Sequence, residues 1–521
     1  MRVFLAFSIL LFVASCNNKK IEPGEQVEWN LLVAEQIEVS LNPTGLAFLS
    51  AEVSFETSEE CSVEIYVDGA EPVQYSLDEY ASSHTVPIVG LYPGVNNQVT
   101  IRLRTKEDAT SERDILIKTE DTPEYLPEIT IDELQESMME PGMHLQGLHL
   151  GYGAYFGSHP MIFDNSGKLR WHLDLSHKET ILWPVQVFEN GNFFFTDGAG
   201  VVEFNWLGHQ VNYWETLGYR GHHDLIELPN ENFLISVQKY GATIDVGGSE
   251  IETTDDHIIE VDRVTGAVVH EYDMRAIQDV DRYDLSNNAV DWFHMNAVWY
   301  DEVDDAILVS GRNQSVVKID RESGDLIWIM APHKGWGMAG RDGTGFETSD
   351  YLLTAVDASG NALDTSFQNG NAVNSDFDWP WGQHAPMRLP NGNIAMFDNG
   401  YNRAFGNAAP YSRGVEYKVN DGNKTIQQVW EWGSDRGTDF YSIIISDIDY
   451  LPETQNRLIT SGFVNGGTGF IGKVVEVPEG SDLPVFEATL EFTNTFGTGE
   501  FGWGQIDILY RSERLEIKPT M

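Results

Sequence analysis

Residues 377–403 read FDWPWGQHAPMRLPNGNIAMFDNGYNR, and a pattern inside them recurs. From His384 the chain runs H-x-x-x-x-L-P-N to Asn391, and the same pattern runs from His223 to Asn230. A third histidine, His294 in DWFHMNAVWYDEVDDAILVSGR, stands five residues before Trp299 in a similar strand-turn-strand pattern, with Asp301–Asp305 in place of the Pro-Asn turn. Two short apolar runs joined by a tight polar turn form a β-hairpin. Three hairpins with a histidine at one address predict repeats of one fold that aim three histidines at one place.

Further hairpins of this kind are WPVQVFENGNFFF, SDIDYLPETQNRLIT and, last, GQIDILYRSERLEI. They alternate with a second unit, a strand, a Gly turn and a strand that often carries an aromatic. Its copies are FDNSGKLRW (163–171), FNWLGHQVNYW (204–214), VDRVTGAVVHEY (261–272), IDRESGDLIWI (319–329), VNDGNKTIQQVWEW (419–432) and VPEGSDLPVFEA (477–488), six in all. Short strands in repeated groups of four predict an all-β chain with a six-bladed β-propeller over residues 126–521. The long segment Gly335–Asp378 is expected to elaborate loops at one mouth of the channel. Before the repeats, DTPEYLPEI leads into a helix-like patch at Asp132–Met139. Residues 29–125 alternate in runs such as AEVSFE, SVEIYVDG, HTVPIVG and NQVTIRLRT, which predicts a small β-sandwich of the immunoglobulin or fibronectin type.

The 521 residues include 32 Lys and Arg against 81 Asp and Glu, a formal charge of -49, which excludes nucleic acid and an anionic membrane surface as partners. The opening MRVFLAFSILLFVASC, residues 1–16, resembles a bacterial lipoprotein signal whose cleavage leaves Cys16 as the lipid-bearing end; the rival reading is an ordinary secretory signal. Its apolar run is too short for a comfortable membrane span. The expectation is an exported protein, periplasmic or at the outer membrane or cell surface, held by a lipid and a polar tether at residues 17–28. Only Cys61 then remains, so the mature chain has no intramolecular disulfide, and Cys61 reads as a buried filler.

In a propeller the innermost strand of each blade starts near one mouth, so equivalent positions converge. The address of His223, His294 and His384 is held by Trp183 and Ser446 in two other blades, and His222 is expected on the opposite strand face from His223. Arg312 and Arg403 end strands that pair with the His294 and His384 strands, and arginine at such a mouth suits an oxyanion. Three histidines with an arginine make a site for sulfuryl or phosphoryl transfer: one imidazole attacks the central atom while the other groups neutralise charge on oxygen. No GxxxxGK[ST] loop is present to hold a nucleotide donor, and no cofactor is called for. Two other classes stay open here. Three converging histidines also suit zinc or copper, against which Arg312 would repel a cation. A glycan-binding surface lipoprotein or propeller lyase is the second, although it would show aromatic and acidic residues at the mouth without a histidine cluster.

The W-x-Q-H…L-P-N-G-N…F-D-N-G-x-x-R stretch around His384, the D-W-x-H-x-N and S-x-R-x-Q-S-x-V-K-I-D between His294 and Asp320, and the H-H-D…L-P-N at His222–Asn230 together resemble the bacterial arylsulfate sulfotransferase family. The resemblance covers the chain from about residue 145 onward, and the sandwich fits the family's two-domain layout. It implies transfer of a sulfuryl group from a phenolic sulfate ester to another phenol, without the nucleotide donor PAPS, by a ping-pong route through a sulfohistidine. It also implies His384 as nucleophile, His294 and Arg312 on the sulfuryl oxygens, His223 on the phenol's proton and Asn296 as an orienting residue. Trp183, Arg403 and Ser446 complete the expected substrate contacts, Trp379 and Trp381 are further candidates to stack on a phenol ring, and a homodimer through the N-terminal domain is hinted at. One departure is that no cysteine follows Cys61, so any disulfide requirement near the active site is absent.

Overall fold

The computed structural model describes residues 24–34, 36–151, 155–282, 288–341, 343–373, 376–467, 469–493 and 507–519. Cys16 and the signal-like stretch lie outside the described residues. Among those described, no helix is long and apolar enough to cross a membrane.

Alternation in the N-terminal segment produces strands Glu38–Leu41, Ala51–Val67, Val73–Ile88, Asn96–Thr105 and Thr110–Lys118. Ala51–Val67 buries every second residue on either side of a register break between Glu56 and Cys61. Its first half pairs with Glu38–Leu41 and its second with Asn96–Thr105, while Val73–Ile88 runs along both halves. The sheet thus bends around one apolar core containing Val53, Phe55, Ile65, Ile101 and the fully buried Cys61, whose thiol burial pushes up to about 11. The expected tether is shorter than residues 17–28, because Gln26 bridges Thr110, Val27 is buried and its N–H donates to the Thr110 carbonyl (2.8 Å).

The chain then builds six sheets of four or five strands among the described residues. Their innermost strands, Trp183–Val187, Tyr219–Glu227, Met295–Asp301, His384–Arg388 and Asp447–Tyr450, each begin a sheet that runs outward in chain order, and these inner strands contact their neighbours. The remaining sheet takes its inner strand from the C-terminus, Ile508–Leu515, which pairs with Met143–Leu150. This is the radial arrangement of a β-propeller, and its ends are clasped twice. The second clasp replaces the expected helix-like patch. Ile129 and Ile131 alternate with polar residues, and Glu128–Leu134 adds a fifth strand to the last sheet, beside Phe486–Glu491. Only Glu136–Met138 is helical there, as one 3₁₀ turn.

The Gly335–Asp378 segment is also placed differently from the expectation. Leu352 bridges the outer strand Leu326–Met330 at Ile329, and Thr354–Ala355 pairs in parallel with the outer strand Thr425–Trp432 of the next sheet. It fastens the outer edges of two adjacent blades. Trp379 and Trp381, each 1% exposed, pack into the core beneath it and donate to the Phe367 carbonyl and to Asp378. They are packing residues and have no face for a substrate.

Candidate active site

The inner strands reach the histidine end through kinks. His223 and His294 have φ of 52°, Ala385 beside His384 has 50°, and Ile445 and Ser446 have 53° and 88°. Non-glycine residues in this region are uncommon and cost of order 1–3 kcal/mol each, so the surrounding structure must fix them. Register breaks accompany the kinks between Gly221 and Leu225, Met295 and Ala297, and His384 and Met387. The left-handed residue is the histidine itself in two strands and its successor in the third, an offset that L-P-N spacing hides.

His223 and His294 meet edge to face with ring centroids 5.1 Å apart. Trp183 lies nearly parallel to His223, 9° between planes and 5.9 Å between centroids. A cavity of about 410 Å³ opens here, its walls including Phe156, Trp183, Arg220, His222, His223 and Gln238. His222 was expected on the opposite face. The kink at His223 breaks strand alternation, and both imidazoles line the cavity with their Nδ1 atoms 3.1 Å apart.

His384 is 4% exposed. Its Nδ1–H donates to Asn399 Oδ1 (2.7 Å), and Asn399 is oriented by its Nδ2 donating to the Ser442 and Ile445 carbonyls, both at 2.9 Å. The Ile445 N–H donates to His384 Nε2 (3.1 Å), so Nε2 carries the lone pair. Burial, then the positive charge of Arg312, holds His384 well below the usual 6.5, and burial followed by His294 does the same to His223. Both imidazoles are neutral at physiological pH.

Arg312 is bound to the same cluster by its backbone N–H, which donates to the His294 carbonyl (2.9 Å), and by Nη2, which donates to the Ile443 carbonyl (3.0 Å). Its Nε is buried without a hydrogen-bond partner. Burial lowers its pKa, yet guanidinium stays protonated, which leaves donors and a fixed positive charge available to an anion. His294 Nδ1 bonds Asp291 Oδ2 at 2.7 Å. Asn296 is fully buried and its Nδ2 donates to the Gln383 carbonyl (2.8 Å), which steadies the residue before His384.

Two expected substrate contacts are corrected. Arg403 is 0% exposed; its guanidinium is paired with Asp378 and with Asp398 (2.9 Å) and donates to the Tyr411 carbonyl (2.9 Å), so its charge is neutralised by two buried carboxylates and is not offered to a ligand. Ser446 is 2% exposed, and its hydroxyl is engaged by Ser442 Oγ (3.0 Å) and the Gly462 N–H (3.1 Å). Sequence reasoning passed over Asn399 and Asp291. Both stood in the quoted motifs, and only the distances show which ring nitrogen each one holds.

The floor of the site is the buried pair Arg511–Asp224, joined by bonds of 2.9 and 3.0 Å, with Tyr510 donating to the His223 carbonyl (2.9 Å). A cavity of about 550 Å³ lies at the other end of the inner strands, walled by Asp224, Asp447, Asp449, Arg511 and Glu513. Its carboxylates suit no anionic substrate. Among the described residues, the groups close enough to hold a cation are His222, His223 and Asp255, and Asp255, Asp291 and His294, each set within 4.8 Å. His384 belongs to neither, so the three aligned histidines do not form one chelate.

A family model described as Arylsulfotransferase matches residues 135–498, and one described as Arylsulfotransferase Ig-like domain matches residues 38–120. An arylsulfate sulfotransferase AssT of Escherichia coli O6:H1 strain CFT073 is 29% identical over 538 aligned positions, covering 84% of this chain and 87% of that one. Its counterpart from Lelliottia amnigena is 28% identical with the same coverage, 84% and 87%. Among solved structures, a streptogramin B lyase overlaps with a TM-score of 0.31 at 12% identity (70% of this chain, 98% of that one). BamB from Moraxella catarrhalis overlaps with a TM-score of 0.26 at 9% identity (70% and 100%). Overlaps this loose carry no weight for function. With one family match over most of the propeller and another over the sandwich, the chain belongs to the arylsulfotransferase family and is a PAPS-independent aryl sulfotransferase.

Proposed function

We propose that the enzyme moves a sulfuryl group from an aryl sulfate ester to an acceptor phenol in two steps, through a sulfohistidine at His384. The observation that supports this most is the state of His384: a neutral imidazole whose Nδ1–H is tied to Asn399, so that the nucleophilic lone pair is on Nε2, where the incoming sulfur displaces the Ile445 N–H. In the first step Nε2 attacks sulfur, the S–O bond to the aryl group breaks with its electron pair on oxygen, and the aryl oxide leaves to take its proton from solvent. In the second step the acceptor oxygen attacks sulfur, the S–N bond breaks, and the acceptor's proton passes to His223. Arg312 neutralises charge on the sulfuryl oxygens, which is where transition-state stabilisation is largest, with His294 beside them as the second contact. Trp183 offers its face to an aryl ring. The same reading has the protein exported, anchored by a lipid on Cys16 and paired through its N-terminal domain, on the strength of residues 1–16 and the family resemblance.

Initial rates with 4-nitrophenyl sulfate and a phenol varied together test the two-step route. Parallel double-reciprocal lines are expected; intersecting lines, which mean both substrates must be bound before transfer, overturn it.

A further inference from the structure

We propose that Asp255 and His222 form a positioning chain that holds His223 in the tautomer able to take the acceptor phenol's proton. This rests on the two-step reading above and adds two residues to it. His222 Nε2 lies 3.1 Å from Asp255 Oδ1, and His222 Nδ1 lies 3.1 Å from His223 Nδ1. Two facing imidazole nitrogens share one proton at that distance, since two lone pairs or two N–H groups would repel. Which nitrogen supplies it is set from the far end. A carboxylate can only accept, so His222 presents Nε2–H to Asp255 and its Nδ1 must be the lone pair. His223 therefore donates through Nδ1–H, and its own lone pair is on Nε2, which takes no hydrogen bond from the described residues.

The arrangement has the form of a chain because His222 has one neighbour at each ring nitrogen, Asp255 at Nε2 and His223 at Nδ1; the same three residues lie within 4.8 Å of one another, and a chelator separates a cation from the chain. The Asp255 contact is off the N–H axis, leaving Nε2 without an in-line hydrogen bond. Asp255 has 19% of its side chain exposed, and a small swing aligns it, as catalytic hydrogen bonds tighten on substrate binding. The other two histidines follow the same rule, with Nδ1 held by Asn399 in one and by Asp291 in the other. The proton balance closes over one cycle: the first aryl oxygen leaves as the oxide and is protonated by solvent, and the acceptor's proton, taken up by His223 Nε2 as the S–N bond breaks, is released to solvent, which restores the neutral tautomer.

Asp255→Asn and His222→Phe in the full chain test the chain by splitting the two steps. The probe is 4-nitrophenyl sulfate, whose nitrophenolate leaves without a proton, followed by acceptors ranging from acidic to weakly acidic phenols. We expect the acceptor-free nitrophenol burst to stay within about twofold, while turnover with a weakly acidic phenol falls about 10–100-fold and turnover with an acidic one falls less. Equal losses in both steps, or no loss with the weakly acidic phenol, overturn the chain. Asn tolerates the left-handed φ of 54° at Asp255, so that variant decides the matter if His222→Phe does not fold. Activity of the unsubstituted enzyme that is lost in EDTA and restored by Zn²⁺ also overturns the chain, in favour of a cation. If the unsubstituted enzyme gives no burst at all, the two-step reading itself has failed; a normal burst with unaffected variants removes only the chain.

Discussion

In the proposed route Asn399 decides which nitrogen of His384 attacks. A ring free to exchange tautomers would spend part of its time with a proton on Nε2, where it is useless as a nucleophile. Asn399→Ala is expected to lower the rate of the nitrophenol burst about 10–100-fold, the usual cost of removing an orienting partner behind a reacting imidazole. The pH dependence follows from the depressed pKa of His384. The neutral ring is the reactive form, and it persists as pH falls until the depressed pKa is reached. The burst rate of the unsubstituted enzyme should therefore be flat from pH 8 to the ordinary 6.5 and decline only below it; a decline already complete at 6.5 would contradict the assigned state. The histidines were legible in the sequence because a repeat put the same residue at one address three times. Their partners were not, since Asn399 and Asp291 are ordinary turn residues until a distance ties each to a ring. Arg403 was misread for the same reason: sequence shows an arginine at a strand end and hides Asp378 and Asp398 behind it.

At the scale of elements, strand alternation was enough to find the hairpins but failed where the backbone departs from it. His222 reached the cavity because His223 is left-handed, a departure that no side-chain pattern announces. The helix-like patch became a strand because Phe486–Glu491 offered an unpaired edge, which is a tertiary fact. Element docking between the two domains rests on Arg170, fully buried. It donates to the Gly90 carbonyl (2.7 and 3.0 Å) and the Glu71 carbonyl (2.7 Å), pairs with Asp164 (3.3 Å) and lies 3.9 Å over the Tyr92 ring. Removing it leaves Asp164 buried without its cation. Arg170→Ala should destabilise the junction by about 3–5 kcal/mol and give the sandwich its own, earlier transition in urea. A single transition at an unchanged midpoint would show that the apolar core alone joins the domains.

The whole molecule gathers these parts by closing a ring. His223, His294 and His384 are separated by as much as 161 residues in the chain, yet they lie in or directly beside neighbouring inner strands, and the two terminal strands keep the ring shut. That convergence was legible from the repeats, as was the all-β two-domain layout. An anionic substrate needs a local exception to the net charge of -49; Arg312 was legible as that exception, and in the structure it is held without an acidic partner at ion-pair distance among the described residues. In the proposed route this gathered site attacks sulfur through His384. The direct measurement is intact-protein mass after brief mixing with 4-nitrophenyl sulfate and no acceptor, for the unsubstituted enzyme and for His384→Ala. A gain of about 80 Da on the unsubstituted enzyme alone, lost again when a phenol is added, is the predicted result. A gain on both proteins would put the covalent intermediate on another residue, and turnover with no gain on either would contradict a sulfohistidine altogether.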